Sequence, residues 1–120
     1  MVILLTLCPV LLAAQESSFV ADSAYAFTRH LSVTIGPRPM GSANDRTALN
    51  WVVEKLRSFG ADSAYVLPFS EARSRRGVTN TNSGVAVGLF RGRSDSTIVI
   101  GGHIDSAGRE IPGANDDASG

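Results

Sequence analysis

The chain predicts an α/β fold, and three observations carry that prediction. Between residues 17 and 60, apolar side chains recur every three or four positions in two separate segments. From Ser63 onward the pattern changes to short β-branched runs punctuated by glycine and polar turns. The last of these runs, Thr97–Ile100, carries no charge, as a strand covered on both faces would. Helices followed by strands of rising apolarity make a layered domain whose strand order stays open.

The elements follow in order. Met1 to Ala14 is apolar apart from Thr6, Cys8 and Pro9, and is shorter than the roughly 20 residues that cross a bilayer. It reads as a secretory signal peptide cut near Ala14, although no Lys or Arg precedes its apolar stretch; a buried N-terminal helix is the alternative. The expected location is therefore outside the cytoplasm, secreted or periplasmic, with no stable membrane span. Cys8 is the single cysteine, so residues 17–120 hold no thiol and no internal disulfide.

A first helix starts near Ser17 or Ser18, places Val20, Ala24, Phe27 and Leu31 on one face, and stops at Gly36-Pro37. His30 lacks an acidic or cysteine partner at ligand spacing and is expected at the surface. Two prolines and two glycines make Ile35–Ser42 an ordered irregular segment with structural work. Asn44 or Asp45 is expected to cap a second helix. Its stripe is Ala48, Trp51, Val52, Lys55, Leu56 and Phe59, with Trp51 and Phe59 in the core and Gly60 as the stop.

Ser63 to Phe69 then predicts a strand ended by Pro68, and Glu71 to Arg76 a polar loop. Gly77–Asn82 and Val85–Phe90 predict two strands around Asn82-Ser83-Gly84, as a hairpin or one bulged strand. Arg91–Ser96 turns into the Thr97–Ile100 strand. With 11 basic and 11 acidic residues the formal charge is zero, which argues against nucleic acid or an anionic membrane as partner; the one basic cluster, Arg73 to Arg76, falls in the expected loop.

The chemistry lies past that last strand. His103 and Asp105 stand two apart in an extended stretch, so both side chains can project to one side and the carboxylate can hold the imidazole. Asp116 follows within Gly113-Ala-Asn-Asp-Asp-Ala-Ser-Gly120, where small residues permit a sharp turn. Singly, such a histidine is an ordinary polar residue at a sheet end, and Asn-Asp-Asp a turn or helix cap. Together they make half of a zinc site. An EF-hand calcium loop fits less well, because its alternating oxygen ligands and terminal Glu are missing.

His103-Ile-Asp105-Ser106 together with Pro112-Gly-Ala-Asn-Asp116-Asp-Ala-Ser-Gly120 resembles the signature of the M28 zinc metallopeptidases, two-zinc aminopeptidases and their carboxypeptidase relatives. Gly36-Pro-Arg-Pro-Met-Gly-Ser42 is similar to a stretch near the start of many such domains. The resemblance implies that His103 is a zinc ligand, that Asp105 is the residue orienting it, and that Asp116 is the carboxylate bridging two Zn2+ ions. Asp117 is not expected to be a ligand, and a cis peptide is implied after Asp116.

The resemblance further implies a zinc-exopeptidase-like α/β/α fold with a mixed central sheet, of which residues 17–120 are the N-terminal portion. The implied activity is hydrolysis of terminal bonds of peptide or protein substrates by a water activated between two zinc ions. The other ligands and the catalytic glutamate are expected downstream of Gly120, leaving these 120 residues inactive alone. Three alternatives stay open: a glutaminyl-cyclase-like enzyme with one zinc, a non-catalytic ectodomain of the same fold, and an inactive gene fragment.

Overall fold

The computed structural model describes residues 20–74 and 77–119. The candidate signal peptide therefore lies outside the described residues. Helix α1 runs Ala21–Arg29 and passes directly into a π-helical segment, His30–Ile35. Ser32 Oγ donates to the Thr28 carbonyl within this run, a side-chain bond of the kind that loosens the backbone ladder. The helical stretch ends before Gly36, where the sequence places its stop.

Helix α2 spans Ala43–Ser58. Its cap is Ser42, whose hydroxyl accepts the Asp45 N–H at 3.1 Å, rather than Asn44 or Asp45. Those two side chains are used elsewhere. Asn44 Nδ2 donates to the carbonyls of Ile35 and Pro37, while Asp45 Oδ2 accepts the Gly41 N–H. Both tie the irregular segment to the helix it precedes. At the far end Gly60 takes φ +87°, its N–H reaching the Arg57 carbonyl and the next N–H, of Ala61, reaching Leu56. A left-handed residue here needs glycine, which is why the expected stop holds.

The buried face of α2 centres on Ala48, Leu49 and Val53, with Trp51 half-buried. Phe59, expected in the core, is 60% exposed and meets the Phe27 ring edge-to-face. It sits at the C-cap, where the helix ends. His30 departs from its expected surface position: it stacks on Trp51 with ring centroids 4.5 Å apart.

The sheet has two antiparallel strands, β1 (Ser63–Ser74) and β2 (Gly77–Leu89). Pro68 does not end β1. It pairs opposite Gly84, and in a two-stranded ribbon every strand has an edge on which a missing N–H is harmless. The register shifts between Phe69 and Glu71, and the expected polar loop then continues as paired strand down to Ser74 opposite Gly77. The two strands predicted around Asn82-Ser83-Gly84 are one continuous β2. Gly88 lets β2 lie close on α2, since a Cβ there would meet Leu56 at 2.9 Å.

Thr97–Ile100 is not a buried strand. Ile98, Val99 and Ile100 are 86%, 88% and 92% exposed, and no described strand pairs with them. A β-branched run becomes a strand only where a neighbour supplies its ladder, and here none does. The helix-plus-sheet content matches the expected α/β class, but the mixed central sheet is not found among the described residues. The small core joins Leu31, Ala48 and Ala118, flanked by Ile35, Trp51 and Ile104. Through Ile104 and Ala118, the stretch carrying the candidate site is part of that core.

Candidate metal centre

Residues 101–118 form turns and irregular backbone, and their position is set by contacts with the helical layer. Ser106 is the first anchor. Its hydroxyl accepts the Arg38 N–H at 2.9 Å, and its own N–H donates to the Arg38 carbonyl at 3.2 Å. Ala118 is the second, buried against Leu31 and Ala48, with its N–H donated to the Gly113 carbonyl and its carbonyl accepting from Thr28 Oγ1. Gly113, at φ +59°, turns the chain between them; a Cβ there would lie 2.6 Å from the Asp116 carbonyl oxygen. The Asp116–Asp117 peptide is cis, as the resemblance implies.

The arginine between these anchors is fully buried, with 0% exposure. Its guanidinium donates to five backbone carbonyls: Ile104, Leu31, Gly36, Pro112 and Gly113. Burial draws its pKa below the ordinary arginine value, against the opposing pull of the Asp105 and Asp45 charges.

The three predicted site residues come together. His103 Nε2 lies 2.9 Å from Asp116 Oδ1. Its Nδ1 is 3.1 Å from the Asp105 carbonyl oxygen and 3.4 Å from Asp105 Oδ1. The ring is therefore closer to the Asp105 backbone oxygen than to the carboxylate expected to hold it. The site is open: the His103 and Asp116 side chains are 52% and 69% exposed. The His103 pKa lies above the ordinary histidine value. Desolvation lowers it, and the Asp105 backbone bond together with the charges of Asp105, Asp116 and Asp117 outweighs that.

Beside the imidazole lies a cavity of about 460 Å³, lined by Leu31, Leu49, Val52, Phe69, His103 and Asp45 among others. Asp45 Oδ2 accepts from Ser83 Oγ at 2.6 Å, while its buried Oδ1 has no protein partner. A second hollow of about 530 Å³ near Asn50, Pro68 and Asn82 is not lined by His103, Asp105 or Asp116.

Among the described residues no group of three or more His, Cys, Asp and Glu side chains is arranged to hold a metal ion. The donor chemistry nevertheless suits one. An imidazole nitrogen and a carboxylate oxygen are both zinc donors, and here they face each other. Sequence reasoning missed Arg38, assigning its segment only a general structural role. Its setting between two prolines was the available signal, and no side-chain pattern betrays bonds to five carbonyls, three of them more than 60 residues away.

No family model, curated protein or solved structure matches the chain. No helix among the described residues is long and apolar enough to cross a membrane.

Proposed function

We propose that His103 and Asp116 are ligands in a zinc centre of the two-zinc exopeptidase kind, and that the protein hydrolyses terminal peptide bonds in a zinc-exopeptidase-like fold. One observation carries this reading: the 2.9 Å approach of His103 Nε2 to Asp116 Oδ1. With the Nδ1 proton directed at Asp105, neutral imidazole turns the Nε2 lone pair toward a carboxylate oxygen. Two lone pairs at that distance repel unless a cation lies between them. The proton fills that role in the free chain, and a divalent metal with nitrogen and oxygen affinity is the other natural occupant.

Each residue then has a defined task. His103 binds through Nε2, and Asp105 keeps the proton on Nδ1, which fixes the tautomer and raises the basicity of the ligating nitrogen. Asp116, as a bridging carboxylate, offsets repulsion between two cations. Bound there, zinc supplies Lewis acidity and lowers the pKa of water toward about 7. Among the described residues no third His, Cys, Asp or Glu joins them in a metal-holding group, so the ligands that complete four-coordination come from elsewhere in the full-length protein. The apolar leader at Met1–Ala14 suits work outside the cytoplasm.

Calorimetric titration with Zn2+ tests the ligand assignment: wild type binds, and His103→Ala binds far more weakly. Equal affinity in the two would remove His103 from the site. The reaction is tested in the full-length protein by mass-spectrometric detection of residues released from peptide ends, and release that persists in EDTA would refute the zinc mechanism.

A further inference from the structure

We propose that Arg38 is a positioning residue for this metal centre, its guanidinium setting the separation between His103 and Asp116. The inference rests on the metal reading above and gives that site a part that none of its own donors supplies.

A fully buried guanidinium is costly unless its N–H groups are all satisfied, and no described carboxylate is hydrogen-bonded to this one. The chain meets the cost with carbonyls from separate segments. Nη1 holds Leu31 and Gly36 at 3.2 and 3.4 Å, which seats the group on the end of the helical layer. Nε donates to Ile104, the residue between His103 and Asp105. Nη1 also reaches Pro112 at 2.6 Å and Nη2 reaches Gly113 at 2.9 Å, just before the turn that presents Asp116.

The two backbone stretches that carry the opposing donors are thus gripped by one rigid, planar fork. Because that fork does not flex, it fixes the distance between the stretches as well as holding each in place. Two further details fit this role. Ser106 bonds both the N–H and the carbonyl of Arg38, so the loop is locked to the arginine backbone too. A Cβ on Gly113 would stand 3.4 Å from Nη2 and 3.0 Å from the Ser106 Cβ, so the guanidinium and the turn occupy the space a side chain would need. Lysine cannot substitute: three donors on one nitrogen cannot span the two stretches.

The test uses Co2+ as probe, its visible absorption reporting coordination geometry, in the full-length wild-type protein and in its Arg38→Met, Arg38→Lys and His103→Ala variants. A metal-free readout accompanies it: the rate of trypsin cleavage after Arg109, which is exposed between the gripped points. Arg38→Lys keeps a cation in place and guards against a Met variant that does not fold.

Both Arg38 variants are expected to bind Co2+ about 10- to 100-fold more weakly, the range seen when a group orienting a ligand is removed. Their absorption band should change shape, and cleavage after Arg109 should quicken with or without metal. His103→Ala should lose Co2+ while keeping the wild-type cleavage rate. Wild-type affinity and spectrum in Arg38→Lys would overturn the proposal. So would cobalt loss only in step with lost helical circular dichroism, since the role would then be stability alone. If wild type binds no Co2+, the metal reading falls, and the cleavage rates decide by themselves whether Arg38 holds the loop.

Discussion

Replacing Asp116 by alanine separates a metal ligand from an ordinary surface ion pair, because the two roles differ in magnitude. His103 and Asp116 are both largely solvated, at 52% and 69% side-chain exposure, and such pairs contribute about 0–1 kcal/mol. Without metal, Asp116→Ala should therefore melt within a few degrees of wild type. Zinc changes the comparison. A ligand at 100 times its dissociation constant stabilises the native state by about 2.7 kcal/mol. For about 100 ordered residues, that raises the midpoint by roughly 10–20 °C. Loss of an orienting partner alone weakens metal sites by about 10- to 100-fold, so loss of a ligand should reach at least the upper figure. At the same zinc concentration the variant then gains only about 0.4 kcal/mol, or roughly 2–3 °C. The assay is thermal melting by circular dichroism at pH 7.5, with zinc and with EDTA. An equal zinc-dependent rise in both proteins would refute the assignment of Asp116 as a ligand.

In the full-length protein, Asp105→Asn should keep most of the zinc affinity, losing about tenfold or less, because the backbone carbonyl that holds Nδ1 at 3.1 Å is untouched; hydrolysis should fall more than binding, and full activity on peptide substrates would contradict the orienting role. The His103 resonance should titrate with a midpoint above 6.5, which NMR in the metal-free chain can check. Since the folded pKa is raised, this pair stabilises the fold fully below pH 6.5 and loses its contribution as pH climbs through the raised value. Zinc affinity runs the other way, weakening as pH falls through that value, because metal and proton compete for Nε2. Gly113→Ala should cost 1 kcal/mol or more in urea unfolding, from the left-handed backbone and the clash with the Asp116 carbonyl, and should weaken Co2+ binding; wild-type values for both would contradict the close packing of that turn.

Local chemistry was legible in the sequence. Gly60 ends α2 because few residues but glycine take its backbone angle, and the helical periods of Val20–Leu31 and Ala48–Leu56 located both helices. His103, Asp105 and Asp116 could be singled out because two-residue spacing and a glycine-rich turn constrain where side chains can point. Pairing was not legible. Pro68 and the polar stretch after it read as breaks, yet both are strand, because a ribbon edge tolerates a missing donor and antiparallel partners can carry polar residues. The Thr97–Ile100 run misled in the opposite sense: composition alone makes no ladder.

The sequence by itself thus determined which side chains make up the candidate site and roughly where helices start and stop, since those depend on residue type and short spacing. Only the tertiary structure decided that Arg38, 65 residues before His103 in the chain (103 − 38), would be buried under the loop with its donors shared among five carbonyls. Backbone oxygens are the same at every residue, so no pattern of side chains announces which of them will converge on one guanidinium. That convergence depends on the packed positions of Leu31, Ala48 and Ala118, which exist only once the chain has folded.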